Sequence, residues 1–190
     1  MQTRYQEAQA KEQPVEGTHL ARLVGIIDMG LRPEWMYLGE KQKAEYQLEL
    51  VYELVGCLME DGRPFHVSEL VKNKLSRDMD SDKITNLTRR IKALGGNQDD
   101  LTSNLDKTCQ VTIRPNKNGS GYMQIAGQYG VSPIASGTNV KELVNPTYVF
   151  DLEKPDLDIF LNFPEFKQNR IKENLEFKGS ALQTMLDRIS

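Results

Sequence analysis

Thr18-His19-Leu20-Ala21-Arg22-Leu23-Val24-Gly25-Ile26-Ile27, continued by Asp28-Met29-Gly30, has the pattern of a long strand around which the chain is organised. Leu20, Leu23/Val24 and Ile26/Ile27 alternate imperfectly, and Gly25 within the run reads as a bulge or sharp bend, so a coiling strand is predicted. Its partner is Ala44–Leu54, where Tyr46, Leu48, Leu50, Tyr52 and Leu54 share one face and Glu45, Gln47, Glu49, Val51 and Glu53 the other. Between them, Leu31–Lys43 is too broken by Gly and Pro to be one regular element and reads as a loop, yet it carries Arg32, Trp35, Tyr37, Lys41 and Lys43. A bent strand, an aromatic and basic loop and a long antiparallel partner are how a small Greek-key barrel for single-stranded nucleic acid begins.

Glu60-Asp61-Gly62 is a turn signal and Arg63–Ser76 resumes extended character as a third strand. Ser81-Asp82 then offers a cap for a helix over Lys83–Leu94, with Ile84, Leu87, Ile91 and Leu94 at helical spacing and Gly95-Gly96 as its stop. Arg89, Arg90 and Lys92 read as its solvated face. A fourth strand, Lys107–Arg114, points Cys109, Val111 and Ile113 inward; a Gly- and Asn-rich tip at Pro115–Gly121 leads to a fifth, Tyr122–Gly127. Five strands with a helix between the third and fourth is the order of the oligonucleotide-binding (OB) fold. The expectation is therefore a mainly β chain: a flexible arm over 1–17, a five-stranded Greek-key OB-fold barrel over 18–150, and a helical C-terminal extension over 151–190. Tyr148–Phe150 offers a short added strand. In the extension, helical stretches over Leu157–Phe163 and Pro164–Leu175 meet at Pro164, a last helix covers Ser180–Ile189, and Phe160, Phe163, Phe166, Ile171 and Leu175 are too apolar to stay undocked.

The whole chain bounds the chemistry. Its 190 residues suffice for one domain with appendages, and a net charge of -3 excludes a histone-like basic coat, leaving any nucleic-acid site to a local patch. Cys57 and Cys109 lack metal-ligand spacing, as do His19 and His66. Gly119-Ser120-Gly121 is a hairpin tip and not a nucleophile elbow, and Gly127-Gln128-Tyr129-Gly130 lacks the lysine and helix of a phosphate-binding loop. No catalytic residue, metal or cofactor is expected, and the chain is not read as an enzyme. With no apolar run of about 20 residues and no secretory leader pattern, it reads as soluble and intracellular.

The candidate nucleic-acid-binding residues are Arg32, Trp35, Tyr37, Lys41 and Lys43 in the first loop, Arg63, Lys72 and Lys74 on the third strand and its exit, and Arg114, Lys117 and Tyr122 about the second hairpin. Aromatic rings stack on any base and lysines and arginines meet phosphates. The competing readings are a Trp35 that caps the barrel end and lysines that only solvate an edge. A protein-interaction or virion structural module, with Trp35 as interface anchor, is the rival from another class, and an enzyme accessory domain is a third. Clustering of Arg32, Lys41, Lys43, Lys72, Lys74, Arg114 and Lys117 along one groove favours nucleic acid, and scattered placement favours these rivals.

Thr18–Gly30, Tyr46–Leu54, Phe163-Pro164-Glu165-Phe166 and Glu176-Phe177-Lys178-Gly179-Ser180 together resemble the single-stranded DNA-binding proteins of tailed bacteriophages. The resemblance spans roughly Thr18 to Ser180. It implies an OB-fold barrel that coats and protects single-stranded DNA during phage DNA replication, recombination and repair, in the host cell cytoplasm and without a cofactor. The partners it implies are single-stranded DNA and phage replication or recombination proteins, with a second copy of the chain as a further candidate and no membrane. Such proteins often end in an acidic tail that recruits partners, whereas this sequence closes on Met185-Leu186-Asp187-Arg188-Ile189-Ser190. A removed tail and recruitment through another surface both stay open.

Overall fold

The computed structural model describes residues 12–37, 39–79, 81, 83–117 and 121–189. Residues 1–11 of the arm, Asp82 of the expected cap and 118–120 of the expected hairpin tip lie outside the described residues. The fold is mainly β. Strand β1 (Gly17–Arg32) is followed by a ribbon of β2 (Trp35–Tyr37) and β3 (Glu40–Gln42), then β4 (Glu45–Leu58) and β5 (Pro64–Lys72). Helix α1 (Asn86–Ala93) precedes β6 (Thr108–Pro115), β7 (Met123–Ile125), β8 (Val131–Ser132) and β9 (Tyr148–Phe150); α2 (Leu157–Asn162), α3 (Glu165–Lys172) and α4 (Ala181–Asp187) complete the chain.

The main sheet has the order β5-β4-β1-β6-β7, with β8 on β6 and β9 parallel to β1. It is antiparallel elsewhere and curls into a half-barrel, its outer strands β5 and β7 coming into contact. Two bulges in β1 drive the curl: Val24 and Met29 are each an extra residue opposite β4, at register shifts between Leu23/Gly25 and Asp28/Gly30. This resolves the imperfect alternation, because each bulge turns its extra residue to the outer face. Ala21, Leu23 and Ile26 join the inner core with Leu48, Leu50, Tyr52, Leu54, Cys109, Val111, Ile113 and the apolar stripe of α1. Val24, Ile27 and Met29 join a second, outer core with Val51, Phe150, Phe160, Phe163, Ile171 and Leu182. Gly25 admits this second layer, since a Cβ there would sit 2.4 Å from the Tyr148 ring.

Several expectations need correction. Leu31–Lys43 is no loop: β1 runs on to Arg32, and β2 and β3 pair, Tyr37 opposite Glu40, with Gly39 at φ +82° between them. Among the described residues the main sheet has seven strands, not five, because β8 and β9 fill the edges of β6 and β1. Helix α1 starts at Asn86, capped by Thr85, whose hydroxyl accepts from the Thr88 amide. Arg90 is not solvated but almost fully buried. Phe166 and Leu175 are exposed, whereas Phe160, Phe163 and Ile171 are buried.

The outer face of β4 is buried although it carries Gln47, Glu49 and Glu53. Lys167 of α3 reaches Glu49 at 3.0 Å, and Glu53 accepts from the amides of Val144 (2.6 Å) and Asn145 (3.1 Å) and from Asn145 Nδ2 (2.7 Å). Burial works to raise the Glu53 carboxyl, but these bonds outweigh it and hold it below the ordinary carboxylate range. A depressed folded value means that Glu53 adds its full stability above the unfolded value and loses it as pH falls through the folded one. Glu53→Gln should therefore cost roughly 1.5–3 kcal/mol at neutral pH. The gap to wild type should shrink when the pair is melted at successively lower pH, and a gap that stays constant would show the carboxylate to be irrelevant.

Candidate nucleic-acid interface

Pro33, which has no N–H to continue the ladder, follows the last residue of β1, and the chain leaves the sheet to form the β2–β3 ribbon. Arg32 stays at the strand end with its guanidinium 4.0 Å from the centroid of the Trp35 ring. Trp35 is half-buried and belongs to neither core. Helix α3 makes the opposite wall. Lys167 is tied to Glu49, Ile171 is sunk in the outer core, and the Leu175 amide donates to the Leu31 carbonyl at 2.9 Å. That anchoring turns Phe166, Asn169, Arg170 and Glu173, at i, i+3, i+4 and i+7, toward the ribbon.

Between the two walls lies a cleft of about 420 Å³, lined by Met29, Arg32, Pro33, Glu34, Trp35, Gln47, Phe166, Asn169, Arg170, Glu173 and Asn174. Burial, and after it the like charge of Arg32, presses the Arg170 guanidinium below its ordinary value, with Glu49 and Glu173 opposing. An arginine still holds its proton there, so the two guanidiniums repel each other, and Glu34 and Glu173 on the same walls offset part of that charge. Phe166 is 68 % exposed at the rim. A smaller recess of about 190 Å³ continues between α3 and β5, past Ser68, Leu70, Phe166 and Lys167. Two aromatic rings and two arginines around one opening can stack bases and hold phosphates together.

The residues expected from sequence divide between the two ends of the sheet. Arg32 and Trp35 line the cleft, and Lys72, paired across from Gln47, stands beside it with Lys74 just beyond. Lys41 pairs with Glu34 at 2.6 Å, an exposed pair worth about 0–1 kcal/mol, and Lys72 pairs with the half-buried Glu45 at 2.5 Å. Lys43 is exposed between β3 and β4. Tyr37 lies on β2, but its side chain is outside what is described. Arg114, Lys117 and Tyr122 are exposed at the other end, where Ile113 pairs with Gly17. Arg63 belongs to that end too, held by Asp61 at 2.6 Å. These four do not meet the cleft.

Sequence reading missed Phe166, Asn169 and Arg170. The available signal was the tail's own pattern, since Phe166 and Arg170 share a face at i, i+4 beside a helix with no apolar stripe. Among the described residues no group of three or more His, Cys, Asp or Glu is placed to hold a metal, and no helix is long and apolar enough to cross a membrane. Cys57 and Cys109 are free thiols, burial pushing that of Cys109 up to about 12. Comparison with protein-family models, with curated proteins and with solved structures returned no match to this chain.

Proposed function

We propose that the chain is an OB-fold single-stranded DNA-binding protein that coats strands without sequence specificity, as in phage replication, recombination and repair, and that the cleft between the β2–β3 ribbon and α3 is its principal contact. One observation carries this reading: Trp35 and Phe166 converge with Arg32 and Arg170 on a single opening. The strand order β5-β4-β1-β6-β7, with α1 between β5 and β6, supports the OB assignment. Rings accept any base face, and a duplex hides those faces, so single strands are preferred.

The test is titration of oligo-dT, with duplex of equal length as control, at several salt concentrations. Trp35 is the only tryptophan, so quenching of its fluorescence reports occupation of the cleft directly. Trp35→Ala should weaken binding by roughly 1–3 kcal/mol and leave the salt slope unchanged, since it removes a stacking face and no charge. Neutralising Arg32 and Arg170 together should make the slope shallower by about 0.7 for each phosphate left without its arginine. Equal affinity for duplex and single strand, a flat salt response, or destabilisation by Trp35→Ala without quenching in the wild type would move the site elsewhere and favour a protein-interaction or virion structural module.

A further inference from the structure

The rim between α1 and the turn after β7 carries a second aromatic and arginine pair. Tyr129 is 72 % exposed, and the Arg89 guanidinium lies 5.3 Å from its ring centroid. A large ring this exposed is ordinarily mobile, but the turn beneath it is clamped. Arg90 donates to the carbonyls of Gly127 (2.9 Å) and Gln128 (2.6 Å), and the Thr112 amide donates to the Gly130 carbonyl (2.7 Å). Gly130 packs too tightly for a side chain, since a Cβ there would lie 2.6 Å from Ile125 and 2.7 Å from the Ala126 backbone. Arg89 is itself braced by Asn86 Oδ1, which accepts from its Nη1 at 3.2 Å. A ring fixed at its base, open on its surface and flanked by a guanidinium is the construction used to stack a nucleobase.

Its position relates it to the cleft. Glu69 of β5 holds Arg90 at 2.6 and 2.8 Å, and Glu69, Ser68 and Leu70 border the recess that continues from the cleft past Phe166. One strand's width, β5, thus separates the recess from the turn bearing Tyr129. We infer that Tyr129, with Arg89, forms a second base-stacking subsite, reached by a single strand that leaves the Trp35–Phe166 cleft and crosses β5. This rests on the reading of the cleft as a single-stranded DNA site. The consequence is length dependence: a short oligonucleotide fills the cleft alone, and a longer one engages both subsites.

The experiment titrates oligo-dT of about 4 and about 16 nucleotides, the ends of the range one barrel covers, into wild type, Tyr129→Ala and Tyr129→Phe, read by Trp35 quenching. Tyr129→Ala should lower affinity for the long oligonucleotide roughly 5- to 150-fold, leave the short one unchanged and keep the melting temperature of wild type. Tyr129→Phe should bind both as wild type does, because the stacking face is retained. Long-oligonucleotide affinity untouched by Tyr129→Ala, a phenylalanine variant as weak as the alanine one, or a loss that comes with a lowered melting temperature would each overturn the subsite. If wild type neither quenches nor binds the long oligonucleotide, the cleft reading itself fails; if wild type binds and quenches while Tyr129→Ala is silent, only the second subsite does.

Discussion

Removal of residues 157–190 is expected to abolish cooperative folding. The outer core consists of Val24, Ile27, Met29, Val51 and Phe150 from the sheet and Phe160, Phe163, Ile171 and Leu182 from the C-terminal helical segment. Cutting the chain before α2 returns the five sheet residues to water at roughly 1.5–3 kcal/mol each, which together rivals the ~5–15 kcal/mol that holds a whole domain. The loss goes further, because Glu49 would forfeit Lys167 and Gln47 would forfeit Arg170. A graded version is Phe160→Ala. Its ring is fully buried, 5.9 Å from Phe150 and 6.4 Å from Phe163 between centroids, and truncation should cost about 3–5 kcal/mol. Circular-dichroism melts and gel filtration read both. A truncated chain that stays monodisperse and melts at the wild-type temperature would mean that the sheet stands alone, with the helices an ornament on it.

That dependence explains how much could be read in advance. The inner core was legible because strict alternation in Leu48–Leu54 and Cys109–Ile113 has one meaning in a half-buried strand. The doubled apolar residues of β1, Leu23/Val24 and Ile26/Ile27, signalled a bend, and the structure adds that both faces of that strand are covered. What composition could not convey was the covering of β4. Glu49 and Glu53 look like solvent residues until Lys167 and the Asn145 segment, more than 90 positions away, arrive to bond them. The cleft was half legible for the same reason. Arg32 and Trp35 stand close in sequence, while Phe166 and Arg170 reach them only through tertiary docking of α3 on the outer core. Trp35 drew notice by its residue type; its surroundings had no local signature.

Arg90 is where a local rule did exist, and its loss should be the costliest single substitution in the sheet's closure. It sits at i+3 from Leu87 and beside Ile91, within the apolar stripe of α1 and not opposite it. Its guanidinium forks onto both oxygens of Glu69 at 2.6 and 2.8 Å and gives two further N–H groups to the Gly127 and Gln128 carbonyls, while the Tyr52 hydroxyl donates to Glu69 at 3.2 Å. Burial acts to lower Arg90, but the Glu69 bonds and charge prevail and hold it above its ordinary value. One side chain therefore joins β5 to the chain leaving β7, at the seam where the curled sheet's two edges meet. Arg90→Leu strands a half-buried carboxylate and two carbonyls and should cost about 2–4 kcal/mol in urea unfolding. Arg90→Lys should recover only part of this, because an ammonium cannot reproduce the fork. In Arg90→Leu with Glu69→Leu the stranded charge is gone, so the double variant should be more stable than Arg90→Leu alone, with a coupling energy of roughly 0.5–3 kcal/mol in the cycle. Additive single and double costs, or a lysine variant as stable as wild type, would show that the seam is held by apolar packing and that this ion pair is incidental to it.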